Sequence, residues 1–433
     1  MAIAHGPPTA YVNARLLDPA SGLDTKGALL VVEGQIADLG PHLFVQGVPS
    51  DTAVVDCGGH CLAPGLIDLR VSLREPGEEH KETIKTASIA AAAGGVTTMV
   101  ALPNSEPAVD DVAGLEFVAR RARDVKLVKI YSYGTVTRGY EGRELTEFGL
   151  LGDYGAVGFT DGTKAVADPQ VMRRALSYSR AFDQVILQVP QDPSLAGGVM
   201  NSGEISTRLG LAGISPLAEI IMLERDLRLA EMTGGRYHAA LLSTAESVAV
   251  MRRAKARGLK VTCDTAPHYF TLNEFAVGDY RTFAKVMPPL RSEEDRQAIV
   301  AGLTDGTIDA VVSDHSPHDQ DSKRLPFGQA AFGIVGLESL LPLSLAPVHK
   351  GEVSLLAMLA KLTSAPAAVL SLPGGRLQMG APADLILFDL NRPWQIDPDS
   401  FLSKSKNSPF DDHLVQGKVL WTMVDGRALF ELG

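Results

Sequence analysis

The amino-acid sequence predicts an α/β protein: a (β/α)8 TIM barrel with a small β-sandwich domain built from both chain termini. Three observations lead to this prediction. Strand and helix patterns alternate from residue 64 onward, and eight strand candidates fall within about 250 residues, the number and size typical of such a barrel. Short β-like stretches fill residues 9–56, and similar stretches return after residue 370. The predicted domains are therefore 1–62 plus 370–433 for the β-sandwich and 63–369 for the barrel.

The eight strand candidates of the barrel are apolar runs of five to ten residues. They are residues 66–70, 96–102, 126–135, 156–160, 184–189, 236–242, 259–264 and 308–313. Helical patterns lie between most of them, and two of these end at the glycine pairs 94–95 and 234–235, which is typical of a left-handed C-cap. A doubly wound sheet is the alternative, but it rarely needs eight such units. Residues 391–413, rich in Pro, Asp, Ser and Lys, are predicted to form an exposed loop.

Composition excludes several classes of protein. The 433 residues are 45% hydrophobic and 21% charged, which is ordinary for a globular protein with a sizeable core. No apolar run is long enough for a transmembrane helix, and residues 1–20 lack the layout of a signal peptide, so we expect a cytoplasmic protein. The net charge of −11 argues against binding to nucleic acid or to anionic membranes. Three cysteines, Cys57, Cys61 and Cys263, are too few for a disulfide framework and are predicted to be buried apolar residues.

The carboxyl ends of barrel strands are where reactive groups are expected. After the first strand, Arg70, Ser72 and Arg74 share one face of an extended segment, because strand side chains alternate. The densest cluster follows the eighth strand, where Asp314 is followed by two histidines within residues 315–318. The alternatives are a solvated loop with a salt bridge at the first strand and a helix-capping aspartate with solvated histidines at the eighth.

Six stretches carry a resemblance to a known family. They are APGLIDLRVSLREPG, KETIKTASIAAAAGGVTTMVALPNSEP, VMPPLRSEEDR, IDAVVSDHSPH, AAFGIVGLE and GAPADLILFD, in that order along the chain. From about residue 10 to 430 the sequence resembles the class I dihydroorotases of the amidohydrolase superfamily. The resemblance implies a (β/α)8 barrel with a β-sandwich from both termini. It also implies a hydrolase of pyrimidine biosynthesis that uses zinc to interconvert carbamoyl aspartate and dihydroorotate.

The sequence departs from the family at the metal-binding histidines. The family's His-x-His pair on strand 1, its strand 5 histidine and its strand 6 histidine are replaced here by Arg70, Ser72, Val189 and Leu241. A slip of one residue would put Gln188 at the strand 5 position, and His238 on strand 6 is expected to point elsewhere. A catalytic zinc needs at least three N, O or S ligands, and an arginine adds positive charge where the cation should lie. The family zinc is therefore predicted to be lost, with no cofactor in its place.

Two carboxylates remain at family metal positions, Asp161 and Asp314. Asp314 is predicted to be a non-functional remnant of the catalytic machinery. Two buried carboxylates without a cation resist joint ionisation, so we expect Arg70 to pair with Asp314, alone or shared with Asp161.

The substrate-binding side is retained in part. By resemblance, Arg74 would hold a carboxylate, Asn104 and His318 the polar edges of the substrate, and the backbone of Phe332 and Gly333 its ring. A family asparagine is replaced by Met287. Whether these residues are kept for binding or for structure stays open.

The resemblance therefore indicates a non-catalytic pseudo-dihydroorotase, and the sequence leaves three functional hypotheses. The first is a structural partner of the aspartate carbamoyltransferase catalytic chain, with a homodimer also expected. The second is an active dihydroorotase or another cyclic amidohydrolase with a rearranged metal site. The third is a small-molecule sensor that uses the vacated pocket.

Overall fold

Two eight-stranded sheets organise the chain in the computed structural model, which describes residues 7–433. Residues 1–6 of the predicted β-domain lie outside the described residues. The strands are β1 Thr9–Asp18, β2 Leu23–Val32, β3 Gln35–Gly40, β4 Ala53–Asp56, β5 Cys61–Pro64, β6 Leu66–Val71, β7 Val96–Ala101, β8 Lys129–Gly134, β9 Ala156–Phe159, β10 Val185–Gln188, β11 Met200–Asn201, β12 Gly213–Ile214, β13 Arg236–Ala239, β14 Val261–Thr265, β15 Ala310–Val311, β16 Leu385–Gln395, β17 Leu414–Val424 and β18 Arg427–Glu431.

The helices lie mainly between the strands of the parallel sheet, which consists of β6–β10 and β13–β15. They are α1 Ile84–Ala93, α2 Val112–Val125, α3 Phe148–Asp153, α4 Pro169–Ser179, α5 Glu204–Leu209, α6 Leu217–Thr233, α7 Ala245–Ala256, α8 Pro267–Thr271, α9 Glu293–Thr304, α10 Gln320–Arg324, α11 Leu340–His349, α12 Leu355–Leu362 and α13 Ser364–Leu370.

The barrel contains the eight parallel strands that the sequence predicted, each within a few residues of its expected bounds. Their order is β6-β7-β8-β9-β10-β13-β14-β15. The two end strands meet through a parallel bridge between Val71 and His315, and the Ser72 backbone N–H donates to the His315 carbonyl at 2.9 Å. Parallel strands with helical crossovers close in this way because each right-handed crossover carries the next strand in the same direction. The predicted fold class is confirmed.

Local sequence signals set the helix ends. Helix α1 begins at Thr83, whose hydroxyl accepts from the Thr86 backbone N–H in a capping box. At its other end Gly95 adopts a left-handed φ of 83°, as glycine does readily. The preceding Gly94 is needed for a different reason, since a Cβ there would lie 2.1 Å from the Leu337 carbonyl oxygen.

The other sheet joins the two ends of the chain. Its order is β18-β17-β16-β5-β1-β2-β3, with β4 paired to β1, so strands from before and after the barrel lie side by side. Strand β5 extends this sheet to Pro64, just past the predicted boundary at residue 62. The apolar cluster of this domain includes Leu16, Leu29, Ile36 and Leu385.

The prediction of an exposed loop at residues 391–413 is correct only in part. Residues 391–395 belong to β16, and the remainder mixes exposed residues with buried ones, which include Ser403, Ser405, Asn407 and Ser408. Polar composition suggested solvent, but buried polar groups are stable where each finds a hydrogen-bond partner, and barrel residues supply partners for Ser403, Ser405 and Asn407. The three cysteines are buried and unpaired, as predicted. Within the described residues, no helix is both long enough and apolar enough to span a bilayer.

Candidate functional site

A cavity of about 370 Å³ lies at the carboxyl ends of the barrel strands. It brings together all six residues that the sequence singled out as catalytic remnant or substrate-binding groups. Its lining consists of Arg70, Arg74, Asn104, Thr163, Val189, Gln191, Met287, Asp314, Ser316, His318, Phe332 and Gly333. These residues are far apart in sequence and meet because parallel strands end at the same rim of the barrel.

The centre of the cavity is held by an ion pair between strands β6 and β15. The Arg70 Nε donates to the Asp314 Oδ1 at 2.9 Å, and its Nη2 lies 3.4 Å from the Gly162 carbonyl oxygen. The side chains are only 5% and 11% exposed. The expected Arg70–Asp314 pair is therefore confirmed. A guanidinium now occupies the place next to Asp314 where the family resemblance expects a cation.

Asp161 does not share this pair. Its carboxylate accepts hydrogen bonds from the Thr137 backbone N–H at 2.9 Å and from the Thr137 hydroxyl at 2.5 Å. Burial raises the pKa of Asp161, and the Thr137 hydrogen bonds oppose the rise. Of the two alternatives, Arg70 therefore pairs with Asp314 alone, because the loop after β8 supplies neutral donors for Asp161.

A second buried pair lies beside Asp314. The Asp264 Oδ2 lies 2.9 Å from the His238 Nε2, and the His238 Nδ1 lies 2.7 Å from the Thr262 hydroxyl. Burial raises the pKa of Asp314 to about 6; the Arg70 guanidinium opposes this rise, and the nearby Asp264 carboxylate adds to it. The carboxylate that repels Asp314 is thus Asp264, and His238 points away from the cavity as expected.

Strand β10 shows which residue replaces the family histidine. The Gln188 amide nitrogen donates to Asp226 Oδ2 on α6 at 2.5 Å, and its oxygen accepts from the Val166 backbone N–H at 2.7 Å. Side chains alternate along a strand, so the next residue, Val189, faces the other way and lines the cavity. The ligand position is therefore occupied by an apolar side chain that offers no lone pair.

Leu241 fills the corresponding position after β13. It is fully buried and packs in the same apolar cluster as Val189, Leu69 and Tyr133. Its backbone is left-handed, with a φ of 57°, a conformation that costs about 1–2 kcal/mol for a residue with a side chain. The Asp264 Oδ1 accepts from the Leu241 backbone N–H at 2.7 Å, which holds this conformation in place.

Arg74 at the rim has a full set of partners. Its Nε donates to the Pro317 carbonyl at 3.1 Å, its Nη1 to Glu78 at 2.8 Å and its Nη2 to the Ser316 hydroxyl at 3.0 Å. The same Nη2 lies 3.2 Å from the His318 Nε2, which must accept because a guanidinium only donates. Burial, together with the positive charge of Arg74, lowers the pKa of His318 to about 3, so the imidazole is neutral.

The remaining rim residues are also held by the protein. Asn104 donates to the Ser72 hydroxyl at 3.2 Å, so Ser72 orients the Asn104 side chain at the cavity. Gly333 has a φ of 122°, and a Cβ there would lie 2.6 Å from the Ser316 hydroxyl oxygen, so only glycine fits. Lys285 supports the same loop, since its ammonium donates to the Phe327 and Ala330 carbonyls, both at 2.7 Å, and lies 4.4 Å from the Phe332 ring centre.

The residues present do not fit the family's zinc. Among residues 7–433, no group of three or more His, Cys, Asp or Glu side chains is arranged to hold a metal ion. A catalytic zinc takes three protein ligands, usually with imidazole nitrogen among them. The centre offers a guanidinium, two aliphatic side chains and a carboxylate already bound to that guanidinium.

Sequence reasoning missed several residues of the site. Gln191 lines the cavity, and its buried side-chain amide has no hydrogen-bond partner within residues 7–433. Asp264 could have been found as a carboxylate at the end of a predicted strand, but Thr137 carries no signal, because its role depends on Asp161 lying beside it. Chemically, this arrangement can bind a small polar ligand at the rim, whereas among the described residues its centre offers neither a set of metal ligands nor an unengaged base.

Comparisons with known proteins show what this chain is similar to. Residues 59–247 match the family model described as dihydro-orotase-like, and residues 217–429 match the amidohydrolase family. The dihydroorotase of Anaplasma phagocytophilum is 48% identical over 425 residues, which cover 97% of this chain and 95% of the relative. The dihydroorotase of Syntrophotalea carbinolica is 44% identical over 421 residues, covering 97% of this chain and 98% of the relative.

Solved structures show the same fold. The L-hydantoinase of Arthrobacter aurescens superposes with a TM-score of 0.87 at 25% identity and covers 98% of this chain and 96% of the other. The dihydropyrimidinase of Brevibacillus agri superposes with a TM-score of 0.84 at 19% identity, covering 98% and 95%, and here the likeness concerns the fold alone. With near-complete coverage by relatives of this similarity, the chain belongs to the dihydroorotase family of the amidohydrolase superfamily.

Proposed function

We propose that this chain is a dihydroorotase-like protein of pyrimidine biosynthesis that lacks catalysis and serves as a structural partner of the aspartate carbamoyltransferase catalytic chain. The observation that carries the loss of catalysis is the Arg70–Asp314 ion pair at the centre of the cavity. It places a permanent cation and its counter-ion where a metal-dependent hydrolase needs an open coordination site.

The chemistry of the centre supports the loss of turnover. Hydrolysis of a cyclic amide needs an activated water, and a water without zinc keeps a pKa far above the value of about 7 that a catalytic zinc gives it. Asp314 is the nearest candidate for a general base, but its carboxylate accepts from Arg70 at 2.9 Å. Val189 and Leu241 keep the surroundings apolar, which disfavours a bare dication.

The partner assignment rests on the family resemblance. The barrel and the terminal sheet that the family resemblance implies are both present in the chain. A protein selected for assembly rather than turnover needs its fold and surfaces but not its metal ligands.

Metal content and turnover test the catalytic half of the proposal. Protein purified without chelators and then incubated with Zn²⁺ is expected to hold far less than one zinc per chain and to show no hydrolysis of dihydroorotate. An active dihydroorotase processed in parallel controls for loss of zinc. Stoichiometric zinc with turnover that a chelator abolishes would contradict the proposal and favour the rearranged-site enzyme.

Co-elution tests the partner half. This chain and the aspartate carbamoyltransferase catalytic chain are run separately and then mixed at micromolar concentrations on gel filtration. A new, earlier peak that contains both chains is expected. Unchanged elution of both proteins would contradict the assignment.

The retained rim favours a second candidate, a binding protein for a small carboxylated ring. Arg74, Asn104, His318, Phe332 and Gly333 line one cavity of about 370 Å³. Calorimetric titration with dihydroorotate decides this point, and Arg74→Met is the matched variant. Saturable heat that Arg74→Met abolishes would support binding without turnover. Equal heat from both proteins would exclude the rim as the site.

A further inference from the structure

The segment between β16 and β17, residues 396–413, crosses from the terminal sheet to the barrel. We call it the crossing segment. It leaves its own domain and lies against the loops that surround the cavity, although strands β16 and β17 on either side of it pair with each other. Its middle contains buried polar residues, and Ser403, Ser405 and Asn407 among them bond to the barrel.

Two carboxylates of the barrel accept hydrogen bonds from the first part of the crossing segment. Glu338 accepts from the backbone N–H groups of Leu402 and Ser403 at 2.8 and 3.0 Å. Glu82, which is fully buried, accepts from the Ser403 hydroxyl at 2.5 Å. Charged acceptors form stronger hydrogen bonds than neutral ones, so this attachment is firm.

Asn407 makes the contacts nearest the cavity. Its side-chain nitrogen donates to the carbonyls of Ser316 and Gly333, both at 3.0 Å. Its side-chain oxygen accepts from the His318 backbone N–H at 3.0 Å, and its own carbonyl accepts from the Val335 N–H at 3.0 Å. Asn407 is only 2% exposed, so its side-chain amide bonds to the barrel rather than to solvent.

These contacts bridge two different loops. Ser316 and His318 follow β15, whereas Gly333 belongs to the later loop that carries Phe332, and all four residues line the cavity. A single amide with two donors and one acceptor fits this arrangement, because it meets two carbonyls and one N–H.

We infer that Asn407 is a positioning residue through which the terminal domain sets the geometry of the cavity rim. Ser316 and His318 are also hydrogen-bond partners of the Arg74 guanidinium. The position of Arg74 therefore depends indirectly on Asn407. This inference concerns the rim and holds whether or not the centre catalyses a reaction.

Backbone hydrogen exchange at single-residue resolution tests the inference on the full chain. Asn407→Ala removes the acceptor of the His318 backbone N–H and the donors to the Ser316 and Gly333 carbonyls, and we expect the His318 amide to exchange about tenfold faster. The amides of Ser316 and Gly333 donate to the Ile334 and Lys285 carbonyls, so they should exchange faster only through loosening of the two loops. Asn407→Asp keeps the acceptor for His318 but loses the donors to the two carbonyls, so it should speed exchange at His318 less than Asn407→Ala does.

Two comparisons separate positioning from general destabilisation. Strand β8 lies elsewhere in the barrel, and its amides should keep their wild-type rates in both variants. Asn391→Ala changes an exposed asparagine of β16 and should leave the rim unaffected. Wild-type rates at the rim in both Asn407 variants, or an equal increase at the rim and in β8, would overturn the inference.

Discussion

Two arginine–carboxylate pairs of similar geometry and different surroundings each contribute an arginine to the lining of one cavity. At the centre, the Arg70 Nε lies 2.9 Å from Asp314, with side chains 5% and 11% exposed. At the rim, the Arg74 Nη1 lies 2.8 Å from Glu78, with side chains 10% and 27% exposed. The distances are nearly equal, so the difference between the pairs lies in the access of water to the carboxylate.

The comparison separates the centre of the cavity from its rim. The central pair lies where the family resemblance implies metal ligands, and both of its side chains are buried. At the rim, Arg74 is also held by Ser316 and His318. Removing one member of a buried pair leaves a charge without solvent, whereas a partly exposed pair is worth little. We therefore expect substitutions at the centre to have larger effects than substitutions at the rim.

The largest effect, a gain of bound zinc, should come from introducing histidines at the centre of the cavity. The variant with Arg70→His, Ser72→His, Val189→His and Leu241→His is expected to hold close to one zinc per chain after gel filtration, because three or more nitrogen ligands then converge. Arg70→His alone should hold none, since one imidazole and Asp314 are too few. Metal analysis and circular dichroism check binding and folding together. Tight zinc in the single variant, or none in a folded quadruple variant, would contradict this assignment of positions.

Arg70→Met should lower the free energy of unfolding by about 3–5 kcal/mol, because it leaves the buried Asp314 carboxylate without its charged partner. Urea unfolding at pH 8 measures the loss. The double variant Arg70→Met with Asp314→Leu is the matched control and should recover most of the stability, since apolar residues can replace a buried pair. A double variant no more stable than the single one would show that the charge of Asp314 is not the cause.

His318 should make the rim sensitive to acid. Its pKa in the folded protein is about 3, below its ordinary value of 6.5, so the unfolded chain binds the proton more readily. Its contribution to stability is present above pH 6.5 and is lost as the pH falls towards 3. Between pH 7 and 5, wild type should lose about 2 kcal/mol more than His318→Gln. Urea unfolding at the two pH values measures this difference, and equal losses would show that His318 is not held neutral.

The smallest effect is expected at the rim pair. Glu78→Gln should cost less than about 1 kcal/mol, because the carboxylate is partly solvated and Arg74 keeps its bonds to Pro317 and Ser316. The cost should shrink further in 1 M salt, which screens exposed charges. Urea unfolding with and without salt measures both. A cost as large as that of Arg70→Met would remove the distinction between centre and rim.

Local features of the sequence were enough to predict the fold and to predict which residues meet at the rim of the barrel. Local hydrophobic periodicity fixed the eight barrel strands, because side-chain alternation and helix spacing are properties of short segments. Strand direction then placed Arg74, Asn104, Asp314 and His318 at one rim without any knowledge of packing. The Arg70–Asp314 pair followed as well, since the first and last strands of a closed barrel are neighbours.

The hydrogen-bond partner of each buried polar group, by contrast, depends on the tertiary structure. Asp161 bonds to Thr137 rather than to Arg70, and the carboxylate beside Asp314 is Asp264. Asn407 lies in a stretch whose composition suggested solvent, yet it is buried against two loops of the barrel. A hydrogen bond depends on distances of a few tenths of an ångström between segments remote in the chain, and local sequence patterns carry no information about such distances.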